Sequence, residues 1–83
     1  MIKVLERVTN RHPDMIKEEV VGAWESRIKT QYRLDGDKPY MVAVGVSPSS
    51  KLIQMIAFND GDDAVVFHAM KATNKILIEL GIL

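Results

Sequence analysis

The stretch that decides the fold is residues 65–81, which read Val65-Val66-Phe67-His68-Ala69-Met70-Lys71-Ala72-Thr73-Asn74-Lys75-Ile76-Leu77-Ile78-Glu79-Leu80-Gly81. Its first part is rich in β-branched and aromatic residues, which favours a strand. Its second part repeats apolar residues at helical spacing and ends on glycine, a residue that commonly terminates helices. The segment therefore predicts a strand over residues 64–69 and a terminal helix that starts near 71–73, with His68 close to their junction.

Three more strands are predicted upstream of this junction. Residues 28–34 alternate in character, which predicts a strand whose covered face is formed by Ile28, Thr30, Tyr32 and Leu34. Residues 40–46 are almost wholly apolar, and residues 52–58 form the next apolar run. Turn-forming residues separate these runs, and such short connections are typical of an antiparallel meander.

Two helices are predicted before the strands. Met1, Val4, Leu5 and Val8 follow the i, i+3, i+4 spacing of a short helix. Pro13 ends that helix, because the residue before proline is disfavoured in the α region, and a second helix follows over residues 15–26 with Trp24 as a core anchor. The expected class is α+β in one domain, residues 1–83: two N-terminal helices, a four-stranded antiparallel meander and a C-terminal helix, with the helices on one sheet face.

Composition narrows the classes of function. The 83 residues carry no net charge, and 47% of them are hydrophobic, enough for a packed core in which association with a partner adds stability. Neutrality argues against tight, sequence-independent binding to nucleic acid, although a small basic cleft is compatible with it. The chain has no cysteine and no apolar run of membrane-spanning length, so we expect a cytoplasmic protein without disulfides or a membrane segment.

Several segments carry a family resemblance. They are Arg7-Val8-Thr9-Asn10-Arg11-His12-Pro13 before a helix with Val20 and Ala23-Trp24, then Val42-Ala43-Val44-Gly45, Leu52-Ile53-Gln54-Met55-Ile56, and Val66 to Lys75. In these segments and in its element order the chain resembles the BrnT-like toxins of the RelE superfamily, ribonucleases of bacterial type II toxin–antitoxin pairs. The resemblance implies a RelE-like fold, a metal-independent endoribonuclease that cleaves mRNA and inhibits translation without a cofactor, and an antitoxin protein as partner.

The chain departs from the family pattern at the start of its last helix. BrnT-like members typically show a serine-alanine-arginine-lysine-alanine-threonine run there. In this chain His68 stands in place of the serine and Met70 in place of the arginine. The second substitution removes a cation that the family uses, and it keeps a catalytically decayed protein among the alternatives.

Ribonuclease chemistry needs a base for the ribose 2′-OH, an acid for the leaving oxygen and cations for the developing charge. We predict His68 and Lys71 as the catalytic pair, because imidazole titrates near neutral pH. The predicted RNA contacts are Arg33, Lys75, Lys29 and Tyr32. Strand parity places His68 on the face of Ala64 and Val66.

Structural interpretations of the same residues stay open. His68 can be a strand-end histidine bonded to backbone, and His12 is interpreted as a residue that starts the next helix. The acidic segment 60–63 lacks the ligand spacing of a calcium loop and is interpreted as a turn. Two histidines without cysteine predict no metal site.

Three classes of function therefore remain. The first is a ribonuclease toxin that contacts RNA. The second is a decayed member of the same family that binds a protein partner or forms a homodimer through an apolar surface made of Met70, Ile78, Ile82 and Leu83. The third is a small non-enzymatic regulatory domain. Growth arrest on expression, with rescue by an antitoxin, separates the first class from the other two.

Overall fold

The computed structural model describes residues 1–83, which form three helices and five strands. In chain order the elements are β1 (Ile2–Val4), α1 (Glu6–Arg11), α2 (Lys17–Glu25), β2 (Arg27–Asp35), β3 (Lys38–Val46), β4 (Leu52–Asp60), β5 (Asp63–Lys71) and α3 (Asn74–Glu79). The strands form one sheet in the order β1-β5-β4-β3-β2. Strands β2 to β5 pair with their sequence neighbours in antiparallel fashion, whereas β1 pairs with β5 in parallel.

The predicted fold class is wrong at the N-terminus. The chain begins with a strand, and the sheet is a mixed sheet of five strands, not a four-stranded antiparallel meander. Ile2 and Val4 face Ala64 and Val66 of β5, and the Lys3 ammonium lies 3.2 Å from the Asp63 carboxylate. A three-residue strand is too short to show a period of its own, so the helical spacing that continues into α1 masked it.

The helices cover both faces of the sheet, which corrects the prediction that they share one face. Helices α1 and α2 pack on one face over a buried cluster made of Val8, Met15, Val20, Ala23, Trp24, Met41, Ala43, Ile53, Met55, Ala57, Val66 and Ala69. Helix α3 packs on the other face, where the buried residues are Val42, Val44, Leu77 and Leu80. Strand β3 contributes to both clusters, which explains why its sequence is apolar at almost every position.

Helix α2 approaches the sheet most closely at β3. A β-carbon on Gly45 would lie 2.7 Å from the carbonyl carbon of Ala23 and would overlap the carbonyl oxygen. No side chain of any size fits there, so glycine allows helix backbone to lie directly on strand backbone. This contact fixes the position of Ala23 and Trp24 over the sheet.

Strand β2 forms one edge of the sheet and is poorly covered. Tyr32 is 72% exposed and Leu34 is 70% exposed, so the face that the alternating pattern predicts as covered is open in this chain. The pairing with β3 shifts by one residue between Arg27 and Lys29 and is regular from Lys29 to Asp35. Ile28, at the shift, is 51% exposed.

Candidate functional site

A bulge in β5 sets the direction of His68. Val66 pairs with Ala57 of β4 and His68 pairs with the preceding residue, Ile56, so Phe67 is an extra residue without a partner. Successive strand residues point to opposite faces, and an inserted residue reverses that alternation. His68 therefore does not share the face of Val66, which corrects the parity prediction, and its side chain is half-buried while Val66 is fully buried.

Helix α1 brings a second histidine to this point. The amide of Leu5 donates to the Val66 carbonyl at 3.1 Å, so α1 begins where β1 leaves β5 and then contacts that strand. His12 ends the helix, with its amide donating to the Val8 carbonyl at 3.0 Å. The centroids of the His12 and His68 rings are 5.9 Å apart, and the rings meet edge to face at 83°.

Two arginines flank the pair of imidazoles. Arg7 and Arg11 are four residues apart on α1 and therefore lie on one side of the helix, where they line an open surface pocket together with Asn10. Both side chains are exposed, and neither forms a salt bridge within the chain. Planar guanidinium groups in this state are well suited to bind phosphate oxygens in pairs.

The surroundings of His68 favour its neutral form. Burial lowers the pKa of His68 first, and the positive charges of His12, Arg11 and Arg7 lower it further. A neutral imidazole at neutral pH can accept a proton, and a second imidazole beside it can donate one. We refer to His12, His68, Arg7 and Arg11 as the histidine–arginine site.

The other predicted catalytic residue lies beyond this site. Lys71 is the last residue of β5, pairs with Ile53 and is exposed. Lys75 is exposed in the first turn of α3, whose N-cap is Thr73. The structure thus brings His68 together with His12 and leaves the roles of both lysines as predictions.

The predicted RNA contacts on β2 are distant from His68. Three strand spacings of about 4.8 Å separate β5 from β2, so the two strands lie about 14 Å apart. Arg33 forms a salt bridge with Glu79 of α3 at 3.1 Å, and Lys29 lies on the same face of β2. Tyr32 alternates with Arg33 and lies on the opposite face. The structure therefore does not place Lys29, Arg33 or Tyr32 beside His68, and their contacts with RNA stay predictions.

Sequence reasoning missed three members of the site. Arg7 and Arg11 are exposed residues of α1, and their spacing of four residues is visible in the sequence. His12 was interpreted as a residue at a helix boundary. Arg7, Arg11 and His12 come near His68 because β1 pairs in parallel with β5. That pairing links segments more than sixty positions apart in the chain, so no local pattern predicts it.

A second surface lies on the α3 face of the sheet, where α3 does not reach. Tyr40, Ile56, Phe58 and Phe67 line an apolar groove, and the Phe58 and Phe67 rings are 5.8 Å apart. The groove runs to the β2–β3 hairpin, where the carboxylates of residues 35 and 37 and the ammonium of Lys38 join its lining, two negative charges against one positive charge. Its character is apolar and acidic, unlike the basic histidine–arginine site.

Comparisons with known proteins give no further assignment. Neither the protein-family models, the curated proteins nor the solved structures include a match to this chain. No group of three or more His, Cys, Asp or Glu side chains lies close enough together to hold a metal ion. None of the three helices is long and apolar enough to cross a membrane.

Proposed function

We propose that this protein is a BrnT-like ribonuclease toxin of a bacterial type II toxin–antitoxin pair, and that the histidine–arginine site cleaves RNA without a metal ion. The observation that carries the proposal is the pair of imidazoles, with the ring centroids of His12 and His68 5.9 Å apart. The charges of Arg11 and Arg7 are close enough to contribute to the lowered pKa of His68. The resemblance of segments 7–13 and 66–75 to the BrnT-like toxins supports the proposal, because these two segments supply all four residues.

The four groups suit the cleavage of a phosphodiester by its own 2′-OH. Neutral His68 takes the proton from the 2′-OH, whose oxygen then attacks the neighbouring phosphorus. The bond from phosphorus to the 5′ oxygen breaks, and His12 is the general acid that gives a proton to that leaving oxygen. The products are a 2′,3′-cyclic phosphate and a free 5′-OH. Arg7 and Arg11 bind the phosphate oxygens, where charge accumulates in the transition state.

The site also accounts for activity in a chain without net charge. The guanidinium groups of Arg7 and Arg11 give a local cationic patch on α1, while five carboxylates lie within residues 34–63. Only a few phosphates would be neutralised, so binding would be weak and local and would not extend along the RNA. Such binding suits an enzyme that releases its product.

Cleavage of a short RNA by the purified chain in the presence of EDTA tests the proposal. We expect His68→Gln and His12→Gln each to lower the rate by about 100-fold or more, since a positioned acid or base typically contributes that much. Lys51→Gln is the control, and its activity should stay within about threefold of wild type because Lys51 is an exposed residue of the connection between β3 and β4. Product ends should be 2′,3′-cyclic phosphate and 5′-OH.

Binding to RNA tests the two arginines separately. The double variant Arg7→Gln/Arg11→Gln should weaken binding of single-stranded RNA. It should also reduce the slope of log K against log salt by about 1.4, the value for two lost phosphate contacts. An unchanged salt slope would remove the arginines from the site.

Induced expression in a bacterial host tests the toxin assignment. Growth arrest with new 5′ ends in cellular RNA, both abolished by His68→Gln, is the expected result. Normal growth and intact RNA with folded protein present would leave the second class of function, an interaction protein. The apolar and acidic groove favours that class, because apolar anchors flanked by Lys or Arg on a partner such as an antitoxin would complement it.

A further inference from the structure

The outer edge of β2 is unpaired over its whole length. The sheet ends at this strand of nine residues, whose outward N–H and C=O groups have no neighbouring strand. Side chains on one face, Tyr32 and Leu34, are 72% and 70% exposed although their alternation is that of a covered strand. Sequence pattern and monomer structure therefore disagree at this edge, and side chains of a further strand on the same face would cover part of Tyr32 and Leu34.

We propose that β2 of one molecule pairs in antiparallel fashion with β2 of a second copy of this chain, with Tyr32 directly opposite Tyr32. Symmetry restricts the registers available to such a pair. In a symmetric antiparallel pair, a two-fold axis perpendicular to the sheet leaves each side chain on the same face. Two residues directly opposite each other point to the same face, so they are an even number of positions apart in the sequence and one residue lies midway between them. One residue must therefore lie opposite its own copy.

The register centred on Tyr32 uses all of the regular part of β2. Residues 29–35 are free of the irregularity at Ile28, and this register pairs each of the seven with a counterpart in the same range. Lys29 lies opposite Asp35, twice in each dimer. The other opposed pairs are Gln31 with Arg33, Thr30 with Leu34, and the two Tyr32 side chains at the axis. Every charged side chain thus meets an opposite charge or an amide.

Neighbouring registers are electrostatically worse. Centring the pair on Gln31 places Lys29 opposite Arg33, and centring it on Arg33 places two guanidinium groups opposite each other. Like charges directly across a strand pair are destabilising. The charges of β2 therefore favour the register centred on Tyr32 over its two neighbours, and charge complementarity points to a second copy of this chain as the occupant.

Cysteine cross-linking tests the register directly, since the chain contains no cysteine of its own. In Tyr32→Cys the two thiols would lie across the axis with Cα atoms about 5 Å apart, within the range of a disulfide. In Leu34→Cys the two copies would be four residues apart along the strand, about 13 Å, which is too far. The two positions are matched in exposure at 72% and 70%.

Under mild oxidation we expect Tyr32→Cys to form a covalent dimer at least about tenfold faster than Leu34→Cys. A mixture of Thr30→Cys and Leu34→Cys chains should cross-link, although neither variant does so by itself. Equal rates for Tyr32→Cys and Leu34→Cys would overturn the register.

Charge exchange tests the proposal without a covalent bond. Lys29→Asp and Asp35→Lys each place like charges opposite at two sites and should raise the dimer dissociation constant about tenfold, measured by sedimentation velocity. The double variant Lys29→Asp/Asp35→Lys restores opposite charges and should return the constant to within about threefold of wild type. Lys51→Asp changes the net charge by the same amount as Lys29→Asp, but at a residue outside β2, and should have little effect on the dimer dissociation constant.

The oligomeric state of the unmodified chain decides whether this edge is used at all. A sedimentation series should show a dimer whose population rises with concentration. A monomer up to about 1 mM overturns the proposal and leaves the edge for a strand of another protein. The inference does not depend on ribonuclease activity, because the β2 edge and His68 lie on strands about 14 Å apart.

Discussion

Replacing Gly45 with alanine tests whether the contact between α2 and β3 sets the packing of the chain. The added methyl group would lie 2.7 Å from the Ala23 carbonyl carbon and 3.2 Å from its Cα, and it would overlap the carbonyl oxygen. The overlapping group is helix backbone, which cannot rotate away as a side chain would. Helix α2 must therefore shift outward by about 1 Å to restore ordinary contact distances.

The expected cost follows from what the shift would loosen. Val20, Ala23 and Trp24 are the buried residues of α2, and a gap of about 0.5–1 Å forfeits a quarter to a half of each dispersion contact. Overpacking in cores costs typically 1–3 kcal/mol, whereas alanine in a strand gains about 0.5–1 kcal/mol over glycine. Because the overlapping group is backbone, the steric term reaches or slightly exceeds the upper end of that range. After the gain from alanine is subtracted, we expect Gly45→Ala to lower the free energy of unfolding by about 2–3 kcal/mol. A chain of 83 residues has a total of about 4–12 kcal/mol.

Urea unfolding followed by fluorescence measures this change, because Trp24 is the single tryptophan and is buried beside the contact. At an m-value of about 1 kcal/mol/M the midpoint should fall by about 2–3 M. Gly36→Ala is the control: Gly36 has φ +65° and no atom within 4 Å of the added methyl, so its only cost is the strain of a β-carbon in the left-handed backbone region, about 1–2 kcal/mol. A Gly45→Ala midpoint within about 0.5 M of wild type would refute the reasoning.

Two further predictions concern His68 and the start of α3. Because the pKa of His68 is lowered in the folded state, the unfolded chain binds more protons, and stability should fall as pH drops below about 6.5 toward the folded pKa. In His68→Gln this part of the pH dependence should be absent from urea midpoints measured between about pH 5 and 8, and an unchanged profile would contradict it. The Thr73 hydroxyl accepts a hydrogen bond from the Ile76 amide at 3.3 Å, so Thr73→Ala should cost about 1 kcal/mol of unfolding free energy. Thr73→Ser should cost much less, and equal losses for the two variants would exclude a capping role.

Local sequence patterns predicted most helices and strands, because the residues that start, form and end these elements lie close together in the chain. The apolar run at residues 40–46 is a strand, and Gly81 ends α3 with its amide donating to the Ile78 carbonyl at 3.0 Å. Pro13 separates α1 from α2, as the restriction on the preceding residue requires. In each case the determining groups lie within a few residues of each other.

The candidate site was predicted only in part, because its members meet through pairing between distant segments. His68 was selected from its chemistry, and it does lie beside another titratable group. Its direction was mispredicted, since the extra residue Phe67 reverses the alternation of β5 and leaves no mark in the sequence. His12 reaches His68 only because β1 pairs with β5 and carries α1 to that strand.

The sequence by itself determined the α+β character, the existence of strands β2 to β5 and the turns between them. These features depend on the conformational preferences of neighbouring residues and on the repeat of apolar side chains, every 2 residues in strands and every 3.6 residues in helices. Only the tertiary structure decided the fifth strand, the division of the helices between two sheet faces and the meeting of the two histidines. Each of these depends on contacts between residues distant in sequence, whose free energy is gained only when the sheet has formed.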